Sequence, residues 1–562
     1  MNGRLLEQNL ALLSRFAPQL AHTLRETPDE GRVHMVESRK GLPVPMVRFP
    51  TGEKLLHSRF DPWREADRFA SHAPENGFLV VFGLGAGYHL TRVLESGKVT
   101  GLFVVDTDLT LCRELFARVD YTALLKDGRI TICLTEDPAE VSASLSRCYL
   151  PLLAGDLEIL TLRSRTEADP DFFQHAAHAV ERGAVSLHQD LSVQRRFGAR
   201  WFSHTVLNSA NSRYTRLTGA PAQAVSLKVR PVSVITAAGP TLDRALPEIA
   251  QRRNDVTLIA TDTSLPALQA ARIAPDVIVS IDCQHVTYLH FMNARKTDRS
   301  VTVADLASSP LIYRVNPRPV PFASSHPLSL FLAQEVPSLL RLDTSGGNVT
   351  QSAVALADAL GSEEIHIYGA DYAYANGRPY ARGTYFYPYV RAREHKLQPS
   401  ETLLTATLFS DRESHLEPEP GDPFRYATPL LARYRDSLNT FSGRLHASVV
   451  RHTDSGHQEI SRGRAAGRTS DSTLNLPPAG ALRAALEHYK DALETAEEVG
   501  LHPAAFRREL SAAQASRWLT LLPLAAFRAH RMPDAYPLSS SALETVRKEA
   551  VALIERTLRL TK

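Results

Sequence analysis

Three short apolar runs, rich in β-branched residues and each followed by a helical pattern, occur within residues 232–291. The runs span 232–236, 256–261 and 277–281. Apolar strands separated by helices indicate a βαβαβ unit whose parallel sheet is covered on both faces. Such sheets bind ligands beyond the carboxyl ends of their strands. The pattern therefore predicts a nucleotide or nucleotide-sugar site at this edge.

Small and polar residues follow each of these strands, as a binding edge requires. They are Gly239, Pro240 and Thr241 after the first strand, Asp262 after the second, and Asp282 and Gln284 after the third. Each aspartate has a simpler reading, since a strand-end carboxylate often caps the next helix. We interpret Asp282 as a ligand-facing residue and leave both readings open for Asp262.

A second informative stretch lies about a hundred residues later. A flexible polar loop opens a helix there, and such a loop is typical of an anion site. A strand at 365–368 then returns Asp371 to the same edge, followed by a tyrosine-rich segment whose rings could stack on a sugar or base. The residues of this stretch predicted to bind substrate are Thr344, Ser345, Gly346, Gly347, Asn348 and Tyr374.

The N-terminal region contains another strand-to-helix glycine loop. Gly83, Gly85 and Gly87 end a strand, and the next strand delivers Asp106. This loop resembles the cofactor loop of S-adenosylmethionine-dependent methyltransferases. The alternative is a Rossmann-like domain in which the tight turn serves helix packing and Asp106 caps a helix.

Composition excludes several classes of protein. The 562 residues include 64 Lys+Arg against 61 Asp+Glu, a balance that gives no electrostatic case for nucleic acid or an anionic membrane. The four cysteines lie far apart, without metal-ligand or redox spacing, and the scattered histidines predict no metal site. No window reaches the ~20 apolar residues that span a bilayer. We expect a cytoplasmic protein with reduced thiols.

The length predicts several domains. We expect an α/β protein with a Rossmann-like N-terminal domain (1–170), a helical connector (171–223) containing a helix pair, and a central doubly wound parallel-sheet domain (224–462). A linker (463–480) and a C-terminal helical bundle (481–562) follow. Amphipathic helices in the last region suggest a homo-oligomer interface or a docking surface for a protein substrate.

Six segments together are distinctive: LHSRFDPWREADRF, VVFGLGAGYHL, AAGPTLDRAL, DTSLPAL, IAPDVIVSIDCQ and YGADYAYANGRPYARGT. They resemble the motility accessory factor (Maf) family of bacterial flagellin glycosyltransferases, whose central domain is shared with 6-hydroxymethylpterin diphosphokinases. The resemblance implies transfer of a nonulosonic acid, such as pseudaminic or legionaminic acid, from a CMP-activated donor to Ser or Thr of flagellin. It thereby implies a role in flagellar assembly and motility.

The chain also has a distant similarity to bacterial CMP-sialic-acid sialyltransferases. The matching positions are Gly239-Pro240-Thr241, Thr344-Ser345-Gly346 and Gly369-Ala370-Asp371. The chain departs from that pattern at Ala238, where those enzymes have an Asn, and at both strand-end aspartates. The histidine proposed as their general base has no clear counterpart, so the resemblance transfers no base to this chain.

The reaction needs a phosphate cradle, stabilisation of an oxocarbenium-like sugar, and a base near the acceptor hydroxyl. We predict Asp282, Asp371 and Tyr380 as catalytic residues, with Asp282 the first choice for the base. Two alternatives stay open. One is a pyrophosphokinase of the hydroxymethylpterin type whose aspartates bind Mg²⁺ and ATP; the other is an S-adenosylmethionine-dependent methyltransferase acting through the N-terminal domain. No cofactor is assigned, and a Mg²⁺ requirement is left open.

Overall fold

A computed structural model of the chain describes residues 2–211, 224–292, 300–316, 319–453, 456–463, 472–496, 511–531 and 536–561. The chain forms two compact units. The first consists of Met1–Ala199 and Thr495–Ala550, and the second of Arg200–Glu494 and Val551–Lys562. Of the expected linker 463–480, residues 464–471 lie outside the described residues, and residues 472–475 form a strand. The predicted domain boundaries stay a prediction.

The first unit is built on two sheets. An antiparallel sheet has the order β1-β2-β3, and a parallel sheet has the order β6-β5-β4-β7. Their strands are β1 Val33–Glu37, β2 Pro43–Phe49, β3 Gly52–Leu55, β4 Gly77–Phe82, β5 Val99–Asp106, β6 Ile130–Leu134 and β7 Leu157–Thr161. Strands β4 and β5 are buried along their whole length because helices cover both faces of the sheet.

Helices surround these sheets. Those within the unit are Asn2–Leu13, Pro18–Glu26, Pro62–Ala70, Tyr88–Glu95, Leu109–Arg118, Thr122–Lys126, Pro138–Cys148, Pro151–Ala154, Arg163–Thr166, Ala512–Leu519 and Leu522–Ala529. Pro170–Ala210 and Ser540–Leu560 contribute residues to both units. The predicted helix pair after residue 170 was wrong, since Pro170–Ala210 is one helix of 41 residues. Its polar interior contains no proline that would break it.

The second unit contains the predicted doubly wound sheet. Within the described residues its strand order is β14-β13-β12-β11-β10-β9-β15-β18-β19, and all neighbours are parallel except β18 and β19. The strands are β9 Val232–Thr236, β10 Thr257–Thr261, β11 Val277–Ser280, β12 Val301–Asp305, β13 Pro319–Ala323, β14 Leu340–Arg341, β15 Glu364–Tyr368, β18 Ser448–Thr453 and β19 Gly456–Ser461. Two small antiparallel pairs join β16 His415–Leu416 with β17 Tyr426–Ala427 and β8 Ala224–Leu227 with β20 Ser472–Asn475.

Alternating side chains of this sheet enter two apolar cores. Ile235 and Ile259 pack with Val354 on one face, whereas Val234 and Leu258 pack on the other. The covering helices and short 3₁₀ turns are Leu242–Gln251, Asp262–Ser264, Leu265–Ala270, Thr287–Met292, Pro310–Val315, Pro327–Glu335, Val349–Ala359, Ala375–Gly377, Phe386–Arg391, Ser400–Leu408, Pro429–Ser442 and Ala481–Glu494. Among the described residues, no helix is both long and apolar enough to cross a membrane.

The order of the sheet reverses between β9 and β15. From β9 the chain adds β10 to β14 on one side, and then returns to place β15 on the other. Loops diverge at such a reversal and leave a crevice outside the strand ends, which is where doubly wound proteins bind ligands. The residues that follow β9 and β15 are therefore the first candidates for ligand binding.

Candidate functional site

The loop after β9 is held by the loop after β15. The Gly239 amide donates to the Gly369 carbonyl at 2.8 Å, and the Thr241 amide donates to Asp371 Oδ2 at 3.0 Å. The Thr241 hydroxyl donates to the other oxygen of Asp371. A Cβ at Gly239 would lie 2.5 Å from Asp371 Oδ2, so only glycine fits this close approach.

This contact, the Thr241–Asp371 clasp, engages both oxygens of a buried carboxylate. The geometry indicates that Asp371 positions the loop Gly239-Pro240-Thr241, because a general base needs an oxygen that is available to the acceptor proton. Pro240 is buried and Gly239 and Thr241 are half-buried, so the loop lies at the surface of the crevice.

The two other predicted aspartates follow neighbouring strands. Asp262 accepts from the Thr263 amide at 2.7 Å and from the Ser280 hydroxyl at 2.6 Å. Asp282 accepts from the Gln284 amide at 2.8 Å, and the Gln284 side chain lies 3.3 Å from its second oxygen. Burial raises the pKa of Asp282, and the nearby charge of Asp262 raises it further against the Gln284 hydrogen bonds. Both oxygens of Asp262 are thus engaged by donors of the same unit, and the surroundings of Asp282 favour its protonated form.

A histidine that the sequence analysis missed lies beside these carboxylates. His290, on the helix Thr287–Met292, is 5% exposed and its Nδ1 lies 3.9 Å from Asp262 Oδ1. Its ring stacks on Tyr385, with centroids 4.6 Å apart. Nδ1 has no hydrogen-bond partner among the described residues. Burial lowers the pKa of His290 while Asp262 and Asp282 oppose that shift, so the imidazole is neutral at pH 7 and able to accept a proton.

The tyrosine-rich segment supplies the other side of this cluster. Tyr380 and Tyr385 have ring centroids 6.0 Å apart, and burial raises the pKa of both hydroxyls. Tyr374 also raises the pKa of Tyr380, so the two predicted tyrosines are electrostatic neighbours. The Tyr374 amide donates to the Tyr426 carbonyl at 2.8 Å, which anchors the segment to β17. The hydroxyls of Tyr380 and Tyr385 therefore remain protonated at neutral pH and can donate hydrogen bonds.

The predicted anion loop opens the helix Val349–Ala359. Asn348 caps it by accepting from the Gln351 amide at 3.0 Å, and Thr344 Oγ1 accepts from the Ser325 amide at 3.2 Å. Ser345 and Gly347 are exposed, whereas Gly346 is buried against the Gln351 side chain. Gln351 is 1% exposed, and its Nε2 donor has no partner among the described residues. A helix N-terminus with an unpaired buried donor is suited to bind an anion.

One further strand-end acid was not predicted as a site residue. Asp305 ends β12 and is fully buried, and burial raises its pKa to about 7 against hydrogen bonds from Ala307 and Ser324. His326 Nε2 lies 3.9 Å from it, and the His326 ring stacks on Trp201 at 4.2 Å. The apolar run before Asp305 resembles the runs before Asp262 and Asp282, and that pattern could have identified it.

The N-terminal glycine loop has a different geometry. Asp106 accepts from the Leu84 amide at 2.7 Å and the Thr107 amide at 2.8 Å, and Arg165 Nε lies 2.8 Å from it. The Ala86 amide donates to His57 Nε2 at 2.9 Å. Side chains of the protein thus occupy the positions that a cofactor would take, which supports the packing interpretation over the methyltransferase interpretation.

Among the described residues, no three His, Cys, Asp or Glu side chains come together in an arrangement that could hold a metal ion. Asp371 faces Thr241, while Asp262 faces Ser280 and Thr263.

Comparisons with known proteins match both units. A model of the glycosyltransferase Maf N-terminal domain matches residues 50–149, and a model of 6-hydroxymethylpterin diphosphokinase MptE-like proteins matches residues 214–377. The fold is similar to a Maf glycosyltransferase from Magnetospirillum magneticum AMB-1, with a TM-score of 0.61 and 16% identity over 100% of this chain and 96% of that one. This class of α/β protein was predicted, and the fold class is confirmed.

Two proteins of Treponema pallidum (strain Nichols), each described only as an uncharacterized protein, are also similar. One is 25% identical over 31% of this chain and 80% of that protein, and the other is 33% identical over 20% and 40%. The two family models support the predicted resemblance to Maf proteins, and the solved structure supports the shared fold. The match of residues 50–149 supports a glycosyltransferase.

Proposed function

We propose that the protein transfers a nonulosonic acid from a CMP-activated donor to Ser or Thr hydroxyls of flagellin, and so supports flagellar assembly. The observation that carries the proposal is the grouping of Asp282, His290, Tyr380 and Tyr385 near the carboxyl ends of the parallel strands. A neutral base, tyrosine donors and an anion-binding loop are the groups that transfer from a CMP-sugar requires.

The roles follow from the protonation states. The acceptor oxygen attacks the anomeric carbon as the bond to the CMP phosphate breaks, and His290 takes the acceptor proton. Asp262 and Asp282 stabilise the imidazolium that forms, because their charges raise the pKa of His290. Tyr380 and Tyr385 donate to the departing phosphate, and the loop Ser345-Gly346-Gly347-Asn348 binds the nucleotide. Asp371 keeps Thr241 and its loop in place.

A second candidate is a Mg²⁺-dependent pyrophosphokinase, which the match of residues 214–377 to the MptE-like model favours. It would need carboxylates directed at one metal ion. Asp262 and Asp371 are instead directed at hydroxyl and amide donors. We rank this candidate second.

A ligand-stabilisation panel separates the two candidates. CMP should raise the melting temperature, whereas ATP with Mg²⁺ should leave it unchanged. The opposite pattern would favour the pyrophosphokinase. S-adenosylhomocysteine belongs in the panel as a probe of the N-terminal loop and should give no shift.

Intact-mass measurement of flagellin tests the transfer itself. In a strain that makes the sugar, His290→Gln should reduce glycan addition by roughly 10²–10⁴-fold in rate, as expected for loss of a general base. His285→Gln is the matched control, since His285 is exposed and lies five residues before His290. Full glycan mass in the His290→Gln strain would overturn the assignment of the base, and unmodified flagellin in the parent strain would overturn the proposed function.

A further inference from the structure

A buried arginine lies one strand beyond the clasp. Arg451 is on β18, paired in register with Ile367 of β15, and is 8% exposed. Its guanidinium carbon lies 5.9 Å from the centroid of the Tyr372 ring. Tyr372 follows Asp371 directly, and is 9% exposed. The two side chains therefore form a polar pair next to the predicted crevice.

The charge of Arg451 is not balanced by the part of the chain that the structure describes. Its Nη2 donates to the neutral Gln458 side chain at 2.7 Å, and no carboxylate of the described residues lies within ion-pair distance. Burial lowers the pKa of Arg451, and the charges of Arg435 and Arg425 lower it further, whereas Tyr372 and the charge of Glu419, which lies beyond ion-pair distance, oppose this shift.

Two neighbouring arginines differ from Arg451 because each has a carboxylate partner. Arg425 is equally buried, yet its Nε lies 3.2 Å from Glu419 and its Nη2 donates to the Asp371 carbonyl at 3.1 Å. Arg435 lies 3.3 Å from Asp436. Each of these two cations has its own carboxylate, whereas Arg451 has none within the described residues.

Both members of the pair also have unused polar atoms. Arg451 Nε and the Tyr372 hydroxyl are buried without a hydrogen-bond partner among the described residues. A buried, unpaired cation with unpaired donors is costly to a ligand-free fold. Such costs are retained where binding requires them.

We propose that Arg451 and Tyr372 form an oxyanion subsite that binds a carboxylate or phosphate group of the ligand. The guanidinium supplies charge-assisted donors and the phenol supplies one more, a set that matches the planar or tetrahedral oxygens of these groups. The inference rests on the proposed function only for the identity of the ligand. Under that function, the anionic group is either the carboxylate of the sugar or the phosphate of CMP.

The test compares Arg451→Met and Tyr372→Phe with Arg462→Met, an exposed control. The probes are CMP against cytidine, N-acetylneuraminic acid against its methyl ester, and inorganic phosphate, each titrated by calorimetry. The wild type should bind one charged probe more tightly than its neutral counterpart. Arg451→Met should weaken that binding at least about tenfold and Tyr372→Phe should weaken it by less, while the control is unchanged. The charged probe that loses affinity identifies the source of the anion.

Ligand-free stability supplies an independent readout. Replacing an unbalanced buried cation by an apolar side chain of similar size should leave the melting temperature unchanged or higher. A lower melting temperature together with unchanged affinity for every anion would show that Arg451 is structural and would overturn the proposal. If inorganic phosphate binds through Arg451 while CMP and the sugar acid do not bind at all, the subsite stands and the proposed function fails.

Discussion

Two strand-to-helix glycine turns, one in each unit, have the same local sequence character and opposite surroundings. The loop Gly83–Gly87 is filled by His57, Tyr121 and Leu162 of the same unit. The loop that opens the helix Val349–Ala359 lies against the Gln351 side chain, whose buried Nε2 has no hydrogen-bond partner among the described residues. Beside the N-terminal loop, His89 Nδ1 is also buried without a partner, but side chains of the same unit fill the space around the glycines. The comparison teaches that a glycine turn marks tight backbone geometry, and that the side chains packed around the turn decide whether a ligand can enter.

The largest expected effect tests the packing role of the N-terminal loop. Asp106→Ala leaves the Leu84 and Thr107 amides without their carboxylate acceptor and leaves the buried Arg165 with Asp169 as its remaining carboxylate partner, so the free energy of unfolding should fall by about 3–5 kcal/mol. Asp67→Ala is the control, since Asp67 is exposed and the loss of its ion pair with Arg92 should stay below about 1 kcal/mol. Urea denaturation measures both. Equal losses in the two variants would contradict the comparison.

A smaller loss is expected at Gly85. The residue has φ +50°, and a Cβ would lie 2.5 Å from His57 Nε2 and 2.7 Å from Leu162 Cδ2. Strain and overpacking together should cost about 2–4 kcal/mol in Gly85→Ala. Gly97→Ala separates the two causes, because Gly97 has φ +67° with no atom within 4 Å and should cost only about 1–2 kcal/mol. If both variants unfold at the same urea concentration, the loop is not packed as described.

The clasp in the second unit should show a mixed effect. Asp371→Ala removes two hydrogen bonds to Thr241 and should cost about 1–3 kcal/mol. If Asp371 acts only by positioning, Thr241→Ala should lower glycan addition to a similar extent. Parallel mass measurements on flagellin decide the point. A much larger activity loss in Asp371→Ala than in Thr241→Ala would show that Asp371 has a catalytic role, as the sequence analysis predicts.

The smallest stability effect, with the opposite sign, is expected at Asp282. The pKa of Asp282 is higher in the folded state than in the unfolded state. At pH values just above the ordinary aspartate pKa of about 4, the carboxyl is therefore still protonated in the folded state but already ionised in the unfolded state. The wild type loses stability as the pH rises from the unfolded-state pKa to the folded-state pKa. Asp282→Asn should remove this loss and raise the melting temperature at pH 7 by a few degrees at most, while reducing transfer. Melting curves of both proteins from pH 4 to pH 7 check the sign, and a lower melting temperature at pH 7 would contradict it.

The regular elements were predictable because their signals are local. The runs at 232–236, 256–261 and 277–281 correspond to β9, β10 and β11 within one residue at each end. By contrast, the predicted helix pair after residue 170 required a break that the 41-residue helix does not contain, because no proline or turn motif interrupts that segment.

The site was predictable only in part. Strand ends identify which residues reach the edge of a parallel sheet, and this brought Asp282, Thr241 and Asp371 into the prediction. The partners of each group depend on chain segments far apart in sequence. His290 stacks on Tyr385, ninety-five residues later, and the Asp371 oxygens are engaged by Thr241. The residue pattern within a single segment does not predict a contact with a distant one.

The sequence by itself determined a doubly wound α/β core, the edge at which a ligand is expected to bind, and the resemblance to the Maf family. Strand and helix periods and the geometry of glycine turns are properties of neighbouring residues, so they can be read from the chain. Only the tertiary structure decided that the N-terminal loop is filled by its own side chains, that Asp371 is a clasp, and that Arg451 lacks a carboxylate among the described residues. Burial and pairing set the reactivity of these groups, and both arise only when distant segments pack together.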